Sequence, residues 1–280
     1  MYKYTIIIAI TFFIKFSLIA ENKSSQLIYD ISYWKALTEG IAKLRNSGEL
    51  TKLELKNSSE KLNLELPTSS KIKMSPSQIY KQHSNSVLVI GPGVYLCKKC
   101  PNPHYEAASG FIISEDGLAI TCYHVMENFK NNDIAAMTFD KKVHQIEKIL
   151  RVDKKKDLVL LKLKGKGFKP LPISYNLRTG MNVSIISHPS TIFYTLSNGI
   201  VTRRYYSQEN KNLGVRFFST SADFAVSSSG GPVFDDKGNV VGIVANTMTL
   251  YDDQDKKSPD PQMVVKGCLD SQNLQKLLDE

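Results

Sequence analysis

Residues 227–243 read SSSGGPVFDDKGNVVGI, and the rest of the chain is interpreted from them. Pro232 to Phe234 form a short apolar run, and Asp235 to Asn239 have the composition of a tight turn. Val240 to Ile243 then resume the apolar run. This order predicts strand, turn, strand. Ser229 stands just before Gly230 and Gly231, whose missing side chains let another chain approach a hydroxyl nucleophile and let the backbone turn sharply. SGG is also common in linkers, but a linker does not run directly into a packed hairpin.

The same texture extends back to residue 76. SVLVI, SGFIIS, LAITCYHV, IEKILRV, LVLLKL, NVSIISH, NGIVTR and GVRFF are short apolar stretches separated by turns rich in Gly, Asp, Asn and Pro, EDG at Glu115 to Gly117 among them. Many short strands with frequent turns predict an all-β barrel or sandwich, because every sheet edge needs protection. Before this region, Ile31, Trp34, Leu37, Ile41 and Leu44 fall on one face of a helix. Leu53 and Leu55, then Leu62, Leu64 and Leu66, alternate with polar residues and predict a hairpin ending at Pro67. Residues 21–75 therefore read as an appended segment. Residues 251–280 read as a polar loop, YDDQDKKSPDP, followed by a short terminal helix.

A nucleophilic serine needs a base, and His124 in AITCYHV follows an apolar strand that presents it at the end of a packed element. The other four histidines, His83, His104, His144 and His188, are read as structural or exposed. The base in turn needs an orienting carboxylate. Asp157 stands directly before LVLLKL, where a strand ties down its backbone. His124, Asp157 and Ser229 then give the chain order His, Asp, Ser. An α/β-hydrolase is disfavoured, since the serine is not in GxSxG and the order differs.

TCYHV, KKDLVLLKL and SSSGGPVFDDKGNVVGI resemble the three catalytic blocks of trypsin-like serine peptidases. SGFIISEDGLAIT, ISHPS and SNGIVTR extend the likeness to the HtrA/Deg-like branch over roughly residues 76–248. The resemblance implies two packed six-stranded β-barrels with the triad in the cleft between them. They would be accompanied here by a small mixed N-terminal segment and a short C-terminal helix, with residues 76–250 as the peptidase domain. It also implies peptide hydrolysis through an acyl-enzyme, with Ser229 as nucleophile, His124 as acid and base, and Asp157 as its orienter. No cofactor or metal is implied, and the expected partner is a peptide or unfolded protein substrate. An inactive or weakly active peptide-binding version of the fold is the alternative.

Two departures from that pattern matter. The usual Gly-Asn-Ser-Gly-Gly is Ser227-Ser228-Ser229-Gly230-Gly231, so the oxyanion hole implied by the resemblance is built from the amides of Ser227 and Ser229. Serine carries a strain cost at positive φ that glycine does not. If the Ser227 backbone must flip to form the hole, Ser227→Gly is expected to raise kcat/KM. The second departure is length: the 33 residues after Thr247 are too few for the PDZ domain that often follows such peptidases. Asp223 lies six residues before Ser229, the offset of the S1 carboxylate in trypsin-like enzymes that prefer basic P1 residues. The HtrA/Deg-like branch instead implies small apolar P1 residues.

The remaining features bear on location and partners. MYKYTIIIAITFFIKFSLIA at residues 1–20 has a lysine, an apolar run and Ala20 before a polar ENKSS, and reads as a secretory signal cleaved after Ala20. An uncleaved anchor is the competing reading. The expected compartment is periplasmic or secreted. Cys97 and Cys100 in CKKC then form a local disulfide, with a metal site including His104, or free thiols, as alternatives. Net charge is +9, and eleven basic residues face three acidic ones between Lys141 and Lys169. Without an aromatic platform or zinc-finger pattern this reads as a solvated basic face, not a specific nucleic-acid site.

Overall fold

The computed structural model describes residues 27–50, 52–62, 64–93, 105–209, 213–253 and 260–279. Twelve strands build two closed antiparallel barrels. The first contains β1 (Val87–Gly91), β2 (Ala108–Ile112), β3 (Leu118–Thr121), β4 (Ala135–Met137), β5 (Val143–Asp153) and β6 (Leu158–Leu163), closed in the order β1-β2-β3-β6-β5-β4. The second contains β7 (Asn182–Ser187), β8 (Thr195–Tyr206), β9 (Arg216–Thr220), β10 (Pro232–Phe234), β11 (Val240–Tyr251) and β12 (Pro261–Asp270), closed as β10-β11-β12-β9-β8-β7. Closure removes free edges, so short strands such as β4 and β10 find partners on both sides.

The barrels confirm the expected fold class, and the hairpin around residue 235 forms where the turn residues place it. Asp235 Oδ1 accepts from the amides of Lys237 and Asn239, each at 2.9 Å, while Gly238 takes φ +76°. Two strands escaped the sequence reading. The three residues of β4 carry no period. β12 begins within the stretch read as a polar loop, so the second barrel runs to Asp270 and does not end near residue 250. The outer half of β12 is exposed, and pairing with β11 and β9 makes it a strand.

Helix α1 (Asp30–Asn46) forms as expected, but its buried face is Tyr33, Leu37 and Ile41, while Ile31 is exposed. It packs on β4 and β5. The hairpin expected at 53–66 does not form, and no strand occurs among the described residues between α1 and helix α2 (Pro76–His83). The alternating leucines there do face inward, with Leu53, Leu55, Leu62, Leu64 and Leu66 packed against the main core. The backbone of this extended segment is bonded to β5. Ser58 N donates to Leu150 O at 2.9 Å, and the buried Arg151 guanidinium donates to the carbonyls of Ser58 at 3.0 Å and Glu60 at 2.8 Å. The described residues between 27 and 75 are thus packed on the two barrels.

Helix α3 (Tyr123–Phe129) follows β3. Helix α4 (Asn273–Asp279) leaves the second barrel and buries Leu274, Leu277 and Leu278 against β5 and β6 of the first. This brace buries three leucines, each contributing about 1.5–3 kcal/mol. No described helix is long and apolar enough to cross a membrane. The signal reading at 1–20 and the Cys97–Cys100 reading lie outside the described residues.

Candidate active site

His124 sits in the first turn of α3, whose N-cap is Cys122, directly after β3 ends at Thr121. The start of a helix leaves amides without intrahelical partners. One is satisfied from a distance: Asp157 Oδ1 accepts from His124 N at 2.9 Å. The other oxygen of the same carboxylate, Oδ2, lies 2.7 Å from His124 Nδ1. Asp157 ends the tight turn between β5 and β6 at φ +56°, a left-handed conformation that aspartate tolerates better than most residues. Its own carbonyl accepts from Tyr123 N at 3.2 Å. Two backbone bonds and one ring contact therefore fix the pair.

Ser229 comes from the other barrel, just before β10. Its carbonyl accepts from Ser109 N at 3.0 Å, which joins the serine turn to β2 across the barrel interface. Gly230 fits there for want of a side chain. At φ +86° an added Cβ would lie 2.2 Å from Ser109 O and 2.4 Å from Thr121 Oγ1. Ser228 is fully buried, and its Oγ bonds to Ser187 Oγ at 3.1 Å. The Ser229 hydroxyl donates to Ala245 O at 3.2 Å.

Ser227 has φ +74°, the strained region anticipated for a non-glycine residue here. Its carbonyl accepts from Ser109 Oγ at 3.2 Å, and the preceding carbonyl, Val226 O, accepts from Ser190 N at 2.7 Å. Ser109, Ser190 and Ser228 were not singled out from the sequence. They lie in stretches noticed for other reasons, and their contacts span up to 118 residues.

His124, Ser227 and Ser229 line one open cleft of about 400 Å³, with Ala108, Val226 and Ser190 among its walls. The predicted triad is thus drawn from both barrels to one place. Asp223 is not brought into it. Its side chain is 84% exposed and lies 2.7 Å from Lys266 Nζ, whose hydrogen bond and charge lower the carboxyl pKa. Lys266 also bonds to the carbonyl of Phe224.

Cys122 lies beneath His124, and its Sγ is 3.4 Å from Val244 O. Burial first, and then the charge of Asp157, push its pKa well up, which leaves a protonated thiol and no rival nucleophile. Cys122, His124 and Asp157 form the only group of donors near enough for a metal among the described residues, and there the ring and carboxylate already engage each other. The remaining described histidines lie outside the cleft lining. His83 stacks on Phe234, His144 packs on Phe168, and His188 is fully buried.

Residues 108–243 match the family described as "Trypsin-like peptidase domain". Among curated proteins, the chain is 36% identical to "Serine protease HTRA1" of Xenopus laevis over 155 residues, 51% of this chain and 32% of that one. It is 32% identical to the "Probable periplasmic serine endoprotease DegP-like" of Hahella chejuensis (strain KCTC 2396) over 154 residues, 54% of this chain and 32% of that one. The match therefore spans about a third of the length of these relatives. A solved structure, "HtrA-type protease AlgW with decapeptide", superposes with a TM-score of 0.59 at 19% identity, covering 74% of this chain and 67% of that one. That likeness speaks to the fold.

Proposed function

We propose that this chain, which carries a trypsin-like peptidase domain, is an exported serine endopeptidase acting through His124, Asp157 and Ser229. The observation that carries this reading is that His124, doubly held by Asp157, lines one cleft with Ser229. With its Nδ1 proton directed at Asp157, the imidazole keeps Nε2 free to accept the Ser229 proton, and the carboxylate stabilises the imidazolium that results. For attack, Ser229 Oγ leaves the Ala245 carbonyl and turns toward Nε2. It adds to the scissile carbonyl, and the amides of Ser227 and Ser229 bind the oxyanion. His124 then protonates the leaving amine, and water, activated by the same ring, releases the acyl group.

The substrate class is a peptide or unfolded protein, in keeping with the decapeptide that accompanies AlgW in its solved structure. An exported location accords with the leader-like residues 1–20 and with the word periplasmic in the names of the DegP-like relatives. The second reading, a peptide-binding relative with little activity, draws on the hydroxyl turned to Ala245 and on the strained Ser227. A fluorophosphonate separates the two. Covalent labelling at Ser229, lost in Ser229→Ala and His124→Ala, is the expected result. Wild-type protein that binds peptides but neither labels nor hydrolyses would establish the second reading instead.

A further inference from the structure

The loop from His188 to Tyr194 is strained and held from two sides. Ser190, Thr191 and Tyr194 all have positive φ, at 47°, 66° and 52°, and none is glycine. Such backbone is strained and persists only where its surroundings over-determine it. On the inner side, buried His188 accepts from Tyr194 N at 3.0 Å through Nδ1, and its Nε2 lies 3.1 Å from Leu88 O. The outer side is held by the appended helix α1. Asp30 Oδ1 accepts from Phe193 N at 3.0 Å, and the Phe193 ring packs on Tyr33 and Trp34 with centroids 5.5 Å and 5.0 Å away.

This loop also borders the cleft, with Ser190 and Thr191 in its lining. Ser190 N holds Val226 O at 2.7 Å, and Val226 precedes Ser227. The carbonyl and N–H of one trans peptide point in opposite directions, so fixing the Val226 carbonyl fixes the direction of the Ser227 amide. We propose that Asp30 is a positioning residue for the oxyanion hole, with α1 acting as a clamp on loop 188–194. The inference rests on the serine peptidase reading above, and it makes the N-terminal extension a determinant of activity. The path is Asp30 to Phe193 N, through the strained turn to Ser190 N, to Val226 O, to the Ser227 amide.

The test uses the whole chain. Asp30→Ala is expected to lower kcat and the fluorophosphonate labelling rate by about tenfold, less than the loss of an entire oxyanion donor, with KM within about twofold. Asp30→Asn keeps a carbonyl acceptor and is expected to restore most of the rate. In a Ser229→Ala background, hydrogen exchange should quicken in peptides covering 188–194 and 225–230 in Asp30→Ala, and stay unchanged in β6. Trp34→Leu, which trims the packing on Phe193 but keeps the Asp30 acceptor, should move both readouts in the same direction and serves if Asp30→Ala does not fold. Wild-type kcat and unchanged exchange at 225–230 in these variants would overturn the clamp while leaving the peptidase reading intact. Quickened exchange at 225–230 with no labelling of wild-type Ser229 would support the clamp and end the peptidase reading.

Discussion

Asp157 grips His124 at two points, its Oδ1 accepting from the backbone amide at 2.9 Å and its Oδ2 lying 2.7 Å from the ring Nδ1. One carboxylate thereby caps the start of α3 and orients the imidazole. Asp157→Asn is the discriminating change, because asparagine also tolerates the left-handed φ of +56°. It is expected to keep the fold and lower kcat by about four orders of magnitude through the wrong ring tautomer. Steady-state hydrolysis of a peptide substrate, alongside the melting temperature, checks both parts.

Ser227 already occupies the left-handed region, with its carbonyl held by Ser109 Oγ and the preceding one by Ser190 N. We therefore expect Ser227→Gly to relieve strain in a turn that is already held, without strong activation. Glycine removes about 1–2 kcal/mol of conformational strain and returns about 0.4–1 kcal/mol through the more flexible unfolded chain. The expected result is stabilisation by roughly 0.5–1 kcal/mol, with a gain in kcat/KM well under tenfold. Urea unfolding and matched kinetics measure the two effects.

His188 is fully buried, and desolvation lowers its pKa from 6.5 to about 4. Between those values the unfolded chain binds a proton that the folded chain does not. Stability is therefore full above pH 6.5 and falls as pH drops toward 4, by about 3 kcal/mol in all. His83 and His144, lowered by burial in the same direction, add to the slope. Urea midpoints at pH 7 and pH 5 should differ accordingly. An NMR titration should find the His188 ring still neutral at pH 5.

Arg151 is 6% exposed and ties the N-terminal segment to β5 through the carbonyls of Ser58 and Glu60. Hydrogen bonds to a charged group contribute about 1.5–3 kcal/mol each. Arg151→Met, which retains much of the side chain's bulk, should destabilise the protein by about 3 kcal/mol and expose residues 52–62 to limited proteolysis.

Asp223 is compensated by Lys266 and stands outside the cleft lining. Asp223→Ala should leave the P1 profile unchanged, with small apolar residues favoured over Lys and Arg in a peptide-library digest. A wild-type preference for basic P1 that Asp223→Ala removes would show that the carboxylate reaches the substrate.

Local pattern was enough for most of the fold. The apolar runs, the DDKGN turn and the helix periodicity over 31–44 are written in neighbouring residues, and the proposed triad is carried by three short blocks, TCYHV, KKDLVLLKL and SSSGGPVFDDKGNVVGI. The leucine alternation at 53–66 was also real, but alternation reports only that an extended chain buries one side. It does not say what the backbone pairs with, and here the partners are Leu150 and Arg151, not a second strand. β12 was hidden for the converse reason: its outer residues are exposed, and only β9 and β11 make it a strand. Tertiary structure alone placed Ser190 on the carbonyl of Val226, Asp30 on the amide of Phe193, and Lys266 on Asp223. These contacts join residues from 36 to 163 positions apart in different elements, so no periodicity or neighbouring motif encodes them. They exist only once the folded chain brings these elements side by side, where a backbone N–H that leaves solvent needs an acceptor, as Phe193 N finds in Asp30.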